Sequence, residues 1–233
     1  MMSYIKSKVL FFFQLLVISI NYLFNKNFNE KKVIEEYVPD GGVVFDVGSN
    51  LGSYIKFVSN SSKKKEINFH SFEPNSNLCE TQDKLSLSSK HSIVINALAV
   101  TDTDGQVKFY ERSISSHSSL IDSPKMSAIS KTIDTYDVES IRIDSYCEKN
   151  DITKIDLLKI DAEGKDFEVL KTCENLLKGK NIKLIKIEVW AEDESLSLIS
   201  NLLNSYGYIL IGTTNLSYLA NKLKFFDAYF LAE

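Results

Sequence analysis

Four places along the chain carry residues whose types and spacing suit ligand binding and chemistry. The first is Asp46-Val47-Gly48-Ser49-Asn50-Leu51-Gly52, at the end of the apolar run 43–47. Glycines in such a turn let backbone approach a ligand closely and adopt positive φ. A dinucleotide fingerprint would read G-x-G-x-x-G. Here Asn50 stands where its second glycine would be and Ser53 where its last would be, which argues against a pyrophosphate on the following helix. Asp46 would repel phosphate and suit a cation. The second place is Glu73, 27 positions after Asp46, a carboxylate able to accept two hydrogen bonds from ribose hydroxyls. A ribose combined with positive charge fits S-adenosylmethionine, which carries a sulfonium and an ammonium. The third is Asn96-Ala97, where an adenine could find one polar contact between apolar walls. The fourth is Lys159-Ile160-Asp161-Ala162-Glu163-Gly164. An Asp there can hold an ammonium, position a hydroxyl or act as a base. His117, in a stretch rich in Ser and Thr, is a further acid–base candidate. Taken singly, Asp46 reads equally well as a turn-stabilising carboxylate and Glu73 as a helix N-terminal charge; their joint placement on neighbouring strand ends favours the ligand.

Those positions make sense only on a particular scaffold. Residues 43–47, 67–72, 93–95, 155–160 and 182–190 are short apolar runs, the pattern of strands covered on both faces. Helical spacing follows at 54–58, 75–87, 165–177 and 195–205, and a charged helical segment over 25–39 stops at Pro39-Asp40-Gly41-Gly42. Segments 98–100 and 107–110, joined through Asp104-Gly105, predict a β-hairpin. Residues 59–66 read as a surface loop and 111–137 as a long irregular stretch, of the kind that often forms a substrate loop. Residues 145–150 predict a short helix, and 208–211 with 226–231 the last two strands. Strands alternating with helices predict a mostly parallel sheet with helices on both faces. Right-handed crossovers bring every strand's C-terminal end to one edge, where such sheets bind ligands. The four places above all lie there.

Composition narrows the partners. The chain has 233 residues, 44% of them hydrophobic, enough to bury a core and exclude wholesale disorder. Net charge is −4, and only Arg112 and Arg142 among the basic residues are arginine, so binding a nucleic-acid backbone is not expected as the main task. Three cysteines at long intervals, with no C-x-x-C, fit reduced thiols in the cytoplasm rather than a disulfide framework or zinc site. Residues 9–24, VLFFFQLLVISINYLF, form an apolar segment. As a helix it would span roughly 24 Å, short of the roughly 30 Å of a bilayer core. It is read as a helix packed on the domain or on a second subunit, the latter giving a homodimer, or as a helix lying on a membrane surface, with a spanning anchor or a signal as the remaining reading. The organisation expected is an N-terminal apolar helix and linker over 1–28, then one domain over 29–233.

The sequence resembles the FkbM-type methyltransferases through FDVGSNLG (45–52), FEP (72–74), LLKIDAEGKDFEVL (157–170) and IKIEVW (185–190), with NALAVTDTDGQVKFY (96–110) and SHSSL (116–120) similar to that family's insert and loop. The resemblance spans roughly residues 30 to 231. It implies a Rossmann-like class I methyltransferase fold with a seven-stranded sheet, S-adenosylmethionine as methyl donor, and transfer to a hydroxyl oxygen of a glycan, a lipid-linked sugar or a small metabolite. Carried over by position, Asp46, Gly48, Asn50 and Gly52 line the methionine part of the donor, Glu73 binds the ribose, Asn96 and Ala97 lie near the adenine, and Asp161 and Glu163 face the reacting end. His117 carries over weakly. The expected base is Asp161, by placement, and no metal is expected. Two other readings stay open on the residues alone: an NAD-dependent oxidoreductase on a similar fold, and a non-catalytic interaction module.

Overall fold

The computed structural model describes residues 28–62, 65–115, 118–120, 130–191, 195–219 and 222–233. The apolar segment 9–24 and His117 lie outside the described residues. Helix α1 (Glu30–Tyr37) begins on Asn29, whose side chain accepts from Lys32 N, and ends before Pro39. It leads into β1 (Gly42–Val47), α2 (Ser53–Ser61), β2 (Ile67–Phe72), α3 (Ser76–Ser88) and β3 (Ser92–Asn96). An insert follows with β4 (Ala99–Val100), β5 (Gly105–Arg112) and β6 (Thr132–Ile141). The chain then returns through α4 (Ile143–Lys149), β7 (Ile155–Ile160), α5 (Asp166–Lys171), α6 (Glu174–Lys178), β8 (Ile182–Trp190), α7 (Ser195–Ser205), β9 (Tyr208–Leu219) and β10 (Lys222–Ala232).

The main sheet has seven strands in the order β3-β2-β1-β7-β8-β10-β9. All neighbours are parallel except β10, which runs against both β8 and β9. Strand alternation gives each face its own core. Val44, Phe69, Leu157 and Leu184 meet Ile34 of α1 and Ile55 and Val58 of α2 on one side. Phe45, Leu158, Ile160, Ile185 and Ile187 meet α4 to α7 on the other. Every residue of β7 is buried, as its apolar sequence requires for a central parallel strand. Strand order reverses between β1 and β7, so the ends of these two strands open the crevice expected to hold a ligand.

Four local expectations are corrected. The inserted hairpin pairs β5 with β6, from Gly105↔Ser140 to Arg112↔Thr132, not 98–100 with 107–110. β4 pairs instead in parallel with β6. The irregular stretch 111–137 therefore contains much of a ten-residue strand. Its first four residues, Thr132 to Thr135, face solvent and are mostly polar, so no alternating apolar signal marks them. The helix read over 165–177 breaks into α5 and α6 at Thr172. That residue's hydroxyl and carbonyl accept from Ile143 N and Asp144 N at the start of α4, while the Asp144 carboxylate accepts from Asn175 N and Leu176 N of α6. Helix α2 also runs three polar residues further, to Ser61, with Ser59 and Ser61 bonding back to the carbonyls of Ile55 and Phe57.

Candidate active site

The turn after β1 folds over the end of β2. Gly48 N and Ser49 N both donate to Phe72 O, at 3.0 and 3.2 Å. Gly48 has φ +70°, and a Cβ there would fall 1.8 Å from the Asp161 carbonyl oxygen. Only glycine admits this crossing of the β1 and β7 turns. Asn50 is also left-handed, φ 49°, and its N–H donates to Glu73 Oε2 at 2.9 Å. The other oxygen of Glu73 accepts from Asn75 N, also at 2.9 Å. Burial pushes the Glu73 carboxyl above its ordinary range, partly offset by those two amides. Gly52 caps the start of α2. Beneath the turn, Gln82 of α3 donates to Asn50 O and Ser49 Oγ, and Ser71 of β2 sits between Ser49 and Gln82. Gln82 gave no sequence signal, since a single Gln in a helix has no motif of its own.

Lys159 joins this turn to the next. Its Nζ donates to Gly48 O at 2.9 Å and Val47 O at 3.2 Å, and lies 3.0 Å from Asp46 and 3.4 Å from Asp161. Asp46 is fully buried. Its contact with Lys159 is an ion pair by distance, but neither oxygen meets a donor along a hydrogen-bonding direction. Burial raises the Asp46 carboxyl, and Lys159 counters only part of that. Burial would lower the Lys159 ammonium, yet Asp46 and Asp161 outweigh it and leave it above its ordinary value.

The β7 turn is pinned by a residue that sequence reading passed over. Asp166, buried at the start of α5, accepts from Ala162 N at 2.7 Å and Gly164 N at 3.2 Å. It belongs to the run LLKIDAEGKDFEVL, so the motif contained it without revealing its use. Glu163 sits on this turn with φ 48°, and its carbonyl accepts from Ser119 of the insert at 3.2 Å. Burial, then Asp161 and Asp166, push the Glu163 carboxyl up to about 8. Glu188 on β8 accepts from Trp190 Nε1 at 2.8 Å. Burial, then Asp161, Asp166 and other carboxylates, raise it to about 9.

A second lysine lies beyond. Lys186 of β8 is 3.2 Å from Glu30 of α1 and 2.9 Å from Asp227 of β10, with the Tyr54 ring centroid 4.5 Å away. Asp227 also accepts from Asn215. A cavity of about 850 Å³ runs from the first turn to this cluster. Gly48, Asn50, Glu73, Asp161 and Glu163 line it together, whereas Asp46 and Gly52 lie behind the wall. Asn96 and Ala97 do not line it. The Asn96 side chain instead donates to Ser71 O and accepts from Tyr146 OH, which also bonds His70. Among the described residues no group of three His, Cys, Asp or Glu is arranged to hold a metal. The site can thus receive a cationic, hydroxyl-bearing ligand, with raised carboxyls at one end to take up a proton.

A seven-stranded sheet of this order, with one antiparallel strand and its cavity at the β1 and β7 ends, is the class I methyltransferase fold. Solved structures share it: methyltransferase FkbM from Methylobacillus flagellatus (TM-score 0.55, 14% identity, 86% of this chain and 50% of that one) and an rRNA methylase from Streptococcus thermophilus (TM-score 0.50, 12% identity, 87% and 93%). The family model of the methyltransferase FkbM domain matches residues 46–210, and the chain belongs to that family. A curated relative is the hexuronic acid methyltransferase AglP of Haloferax volcanii, 24% identical over 169 residues, 71% of this chain. The chain spans 64% of that relative's length. Family membership sets aside the NAD-dependent oxidoreductase. Among the described residues no helix is long and apolar enough to cross a membrane.

Proposed function

We propose that this methyltransferase uses S-adenosylmethionine to methylate a hydroxyl oxygen on a glycan, a lipid-linked sugar or a small metabolite. The observation that carries the reading is the convergence of Gly48, Asn50, Glu73, Asp161 and Glu163 on one cavity at the ends of β1 and β7. The donor set fits the cofactor. Carboxylates flank the site while its glycine turn lacks the phosphate fingerprint, as suits a cationic nucleoside. Glu73, held by two backbone amides, has lone pairs left for ribose hydroxyls. Asp46 and Asp161 supply negative charge for an ammonium, and Lys159 fixes both. Asn96 and Ala97, at the end of β3, are kept as the adenine-side residues, Asn96 acting from beneath through its hold on β2.

When bound, S-adenosylmethionine supplies a methyl carbon already activated by its sulfonium. The chain's own residues then align the acceptor oxygen and take its proton. With the donor bound, the proton released by the acceptor hydroxyl would pass to a carboxylate lining the cavity. Asp161 is the base expected from the sequence, but the Lys159 ammonium lies 3.4 Å from it and engages its carboxylate. Glu163, raised to about 8 by burial and by Asp161 and Asp166, is matched to a neutral operating pH. Asp161 then orients and Glu163 accepts. His117, outside the described residues, remains a candidate from its sequence position alone. A nucleic-acid acceptor is disfavoured by six carboxylates lining the cavity against two lysines. The curated relative's sugar substrate supports a glycan acceptor. Residues 9–24 on a membrane surface would favour a lipid-linked one, and on a second copy a homodimer; either way the protein is cytoplasmic.

Titration calorimetry with S-adenosylhomocysteine tests the reading. One molecule should bind per chain, and NAD should give no heat. Absence of S-adenosylhomocysteine binding overturns it and favours the non-catalytic module.

A further inference from the structure

We propose that the acceptor end of the cavity takes an uncharged or amino-bearing polyhydroxyl acceptor and turns away one that carries a carboxylate. The inference rests on the methyl-transfer reading above and deepens it. Beyond Asp161 the cavity wall is formed by Glu30, Glu163, Lys186, Glu188 and Asp227. Its ammonium is already engaged: Lys186 lies within 3.2 Å of Glu30 and 2.9 Å of Asp227. Lys159, at the boundary with the donor end, is held between Asp46 and Asp161 and on two backbone carbonyls. No arginine lines the cavity among the described residues. Glu163 and Glu188 form no ion pair among the described residues, and Glu188 uses one oxygen on Trp190 Nε1.

An acceptor carboxylate would therefore find no free cation among the described residues and would add a charge beside Asp161, Glu30 and Asp227, where Glu163 and Glu188 are already held protonated by burial and neighbouring carboxylates; that is strongly unfavourable in a desolvated site. Hydroxyls both donate and accept and an ammonium donates, which suits a wall rich in carboxyl oxygens that also carries Asn215, Ser115 and Ser118. The expectation runs opposite to a hexuronic acid acceptor.

The test uses the full chain with isotope-labelled S-adenosylmethionine and three matched panels: methyl hexosides, their 2-amino-2-deoxy counterparts, and their uronates. Labelled product is measured by mass spectrometry. Incorporation into the neutral or amino panel should exceed that into the uronates by at least about tenfold. The double variant Glu30→Gln, Asp227→Asn frees Lys186 and should raise the uronate share severalfold. If that variant does not fold, Asp227→Asn alone serves, by removing one of the two carboxylates that hold Lys186. Equal or preferred incorporation into uronates overturns the proposal, as does no incorporation from any panel while S-adenosylhomocysteine still binds. Loss of that binding in the unmodified chain instead overturns the methyl-transfer reading beneath it.

Discussion

Lys159 and Lys186 stand side by side in register on β7 and β8, each clamped between two carboxylates, yet they do different work. Lys159 is fastened to backbone as well as to side chains, and one of its partners, Asp46, is fully buried. It locks two turns together at the strand-order reversal. Lys186 is fastened to side chains only, drawn from α1 and β10. Its partners Glu30 and Asp227 keep side-chain exposures of 14% and 13%. The first cluster is a fixed hub. The second can exchange a partner for a ligand group, because water and Asn215 can still satisfy what is left behind. The pairing teaches that a buried ammonium can brace backbone or tune a pocket, and that its hydrogen bonds to main chain tell which.

Removing each ammonium should expose the difference. Lys159→Ala leaves Asp46 buried without a counter-charge and should cost about 3–5 kcal/mol in urea unfolding. Adding Asp46→Asn to Lys159→Ala should recover much of that loss, since the stranded charge goes with it. Lys186→Ala should cost less, about 2 kcal/mol, because its carboxylates retain water and Asn215. Equal losses at the two sites would dissolve the distinction between them.

Each cluster is also closed by a glycine, and the two glycines should respond differently. A Cβ at Gly48 would lie 1.8 Å from the Asp161 carbonyl oxygen, which is backbone. Gly48→Ala should therefore cost about 2–3 kcal/mol, since both turns must shift, and should abolish S-adenosylhomocysteine heat in calorimetry. A Cβ at Gly212 would meet the ring of Phe28, which packs on Tyr229 at a centroid distance of 4.8 Å. The obstacle there is a side chain rather than backbone, so Gly212→Ala should cost about 1 kcal/mol, the worth of the displaced ring pair, and leave donor binding intact.

The same contrast explains what sequence could reveal. The hub is encoded in two contiguous motifs, FDVGSNLG and LLKIDAEG, whose residues meet because adjacent parallel strands put their ends together. The main sheet was legible for that reason, and strands 67–72, 155–160 and 182–190 fall where their apolar runs end. The second cluster joins Glu30, Lys186 and Asp227 across 156 and 41 positions, and an isolated acid at a helix start or in a hairpin strand announces nothing. The insert was misread for a related cause. β6 keeps one face in water, so its polar half carries no apolar alternation, and its pairing with β5 depends on a partner far along the chain. Thr172 likewise breaks a helix through bonds to α4 that no local pattern records.

Glu163 lies between the two clusters, and both lysines are engaged elsewhere, so its charge is poorly compensated. Its carboxyl is held near 8 in the folded chain against an unfolded value near 4.5. The unfolded chain thus releases this proton first as pH rises. The native state's advantage from keeping Glu163 neutral is complete below about pH 4.5 and is lost progressively up to about pH 8. Glu163→Gln cannot ionise and escapes that loss. It should match the parent chain in stability below pH 4.5 and exceed it at pH 8, with the gap widening between and flat above. The gap should be on the order of 1 kcal/mol, because a half-buried carboxyl is partly relieved by water. Thermal or urea unfolding of both proteins from pH 4 to 9 measures it. A parent chain that gains stability relative to Glu163→Gln as pH rises would mean that Glu163 is ionised and paired, and its assignment as proton acceptor would fall with that result.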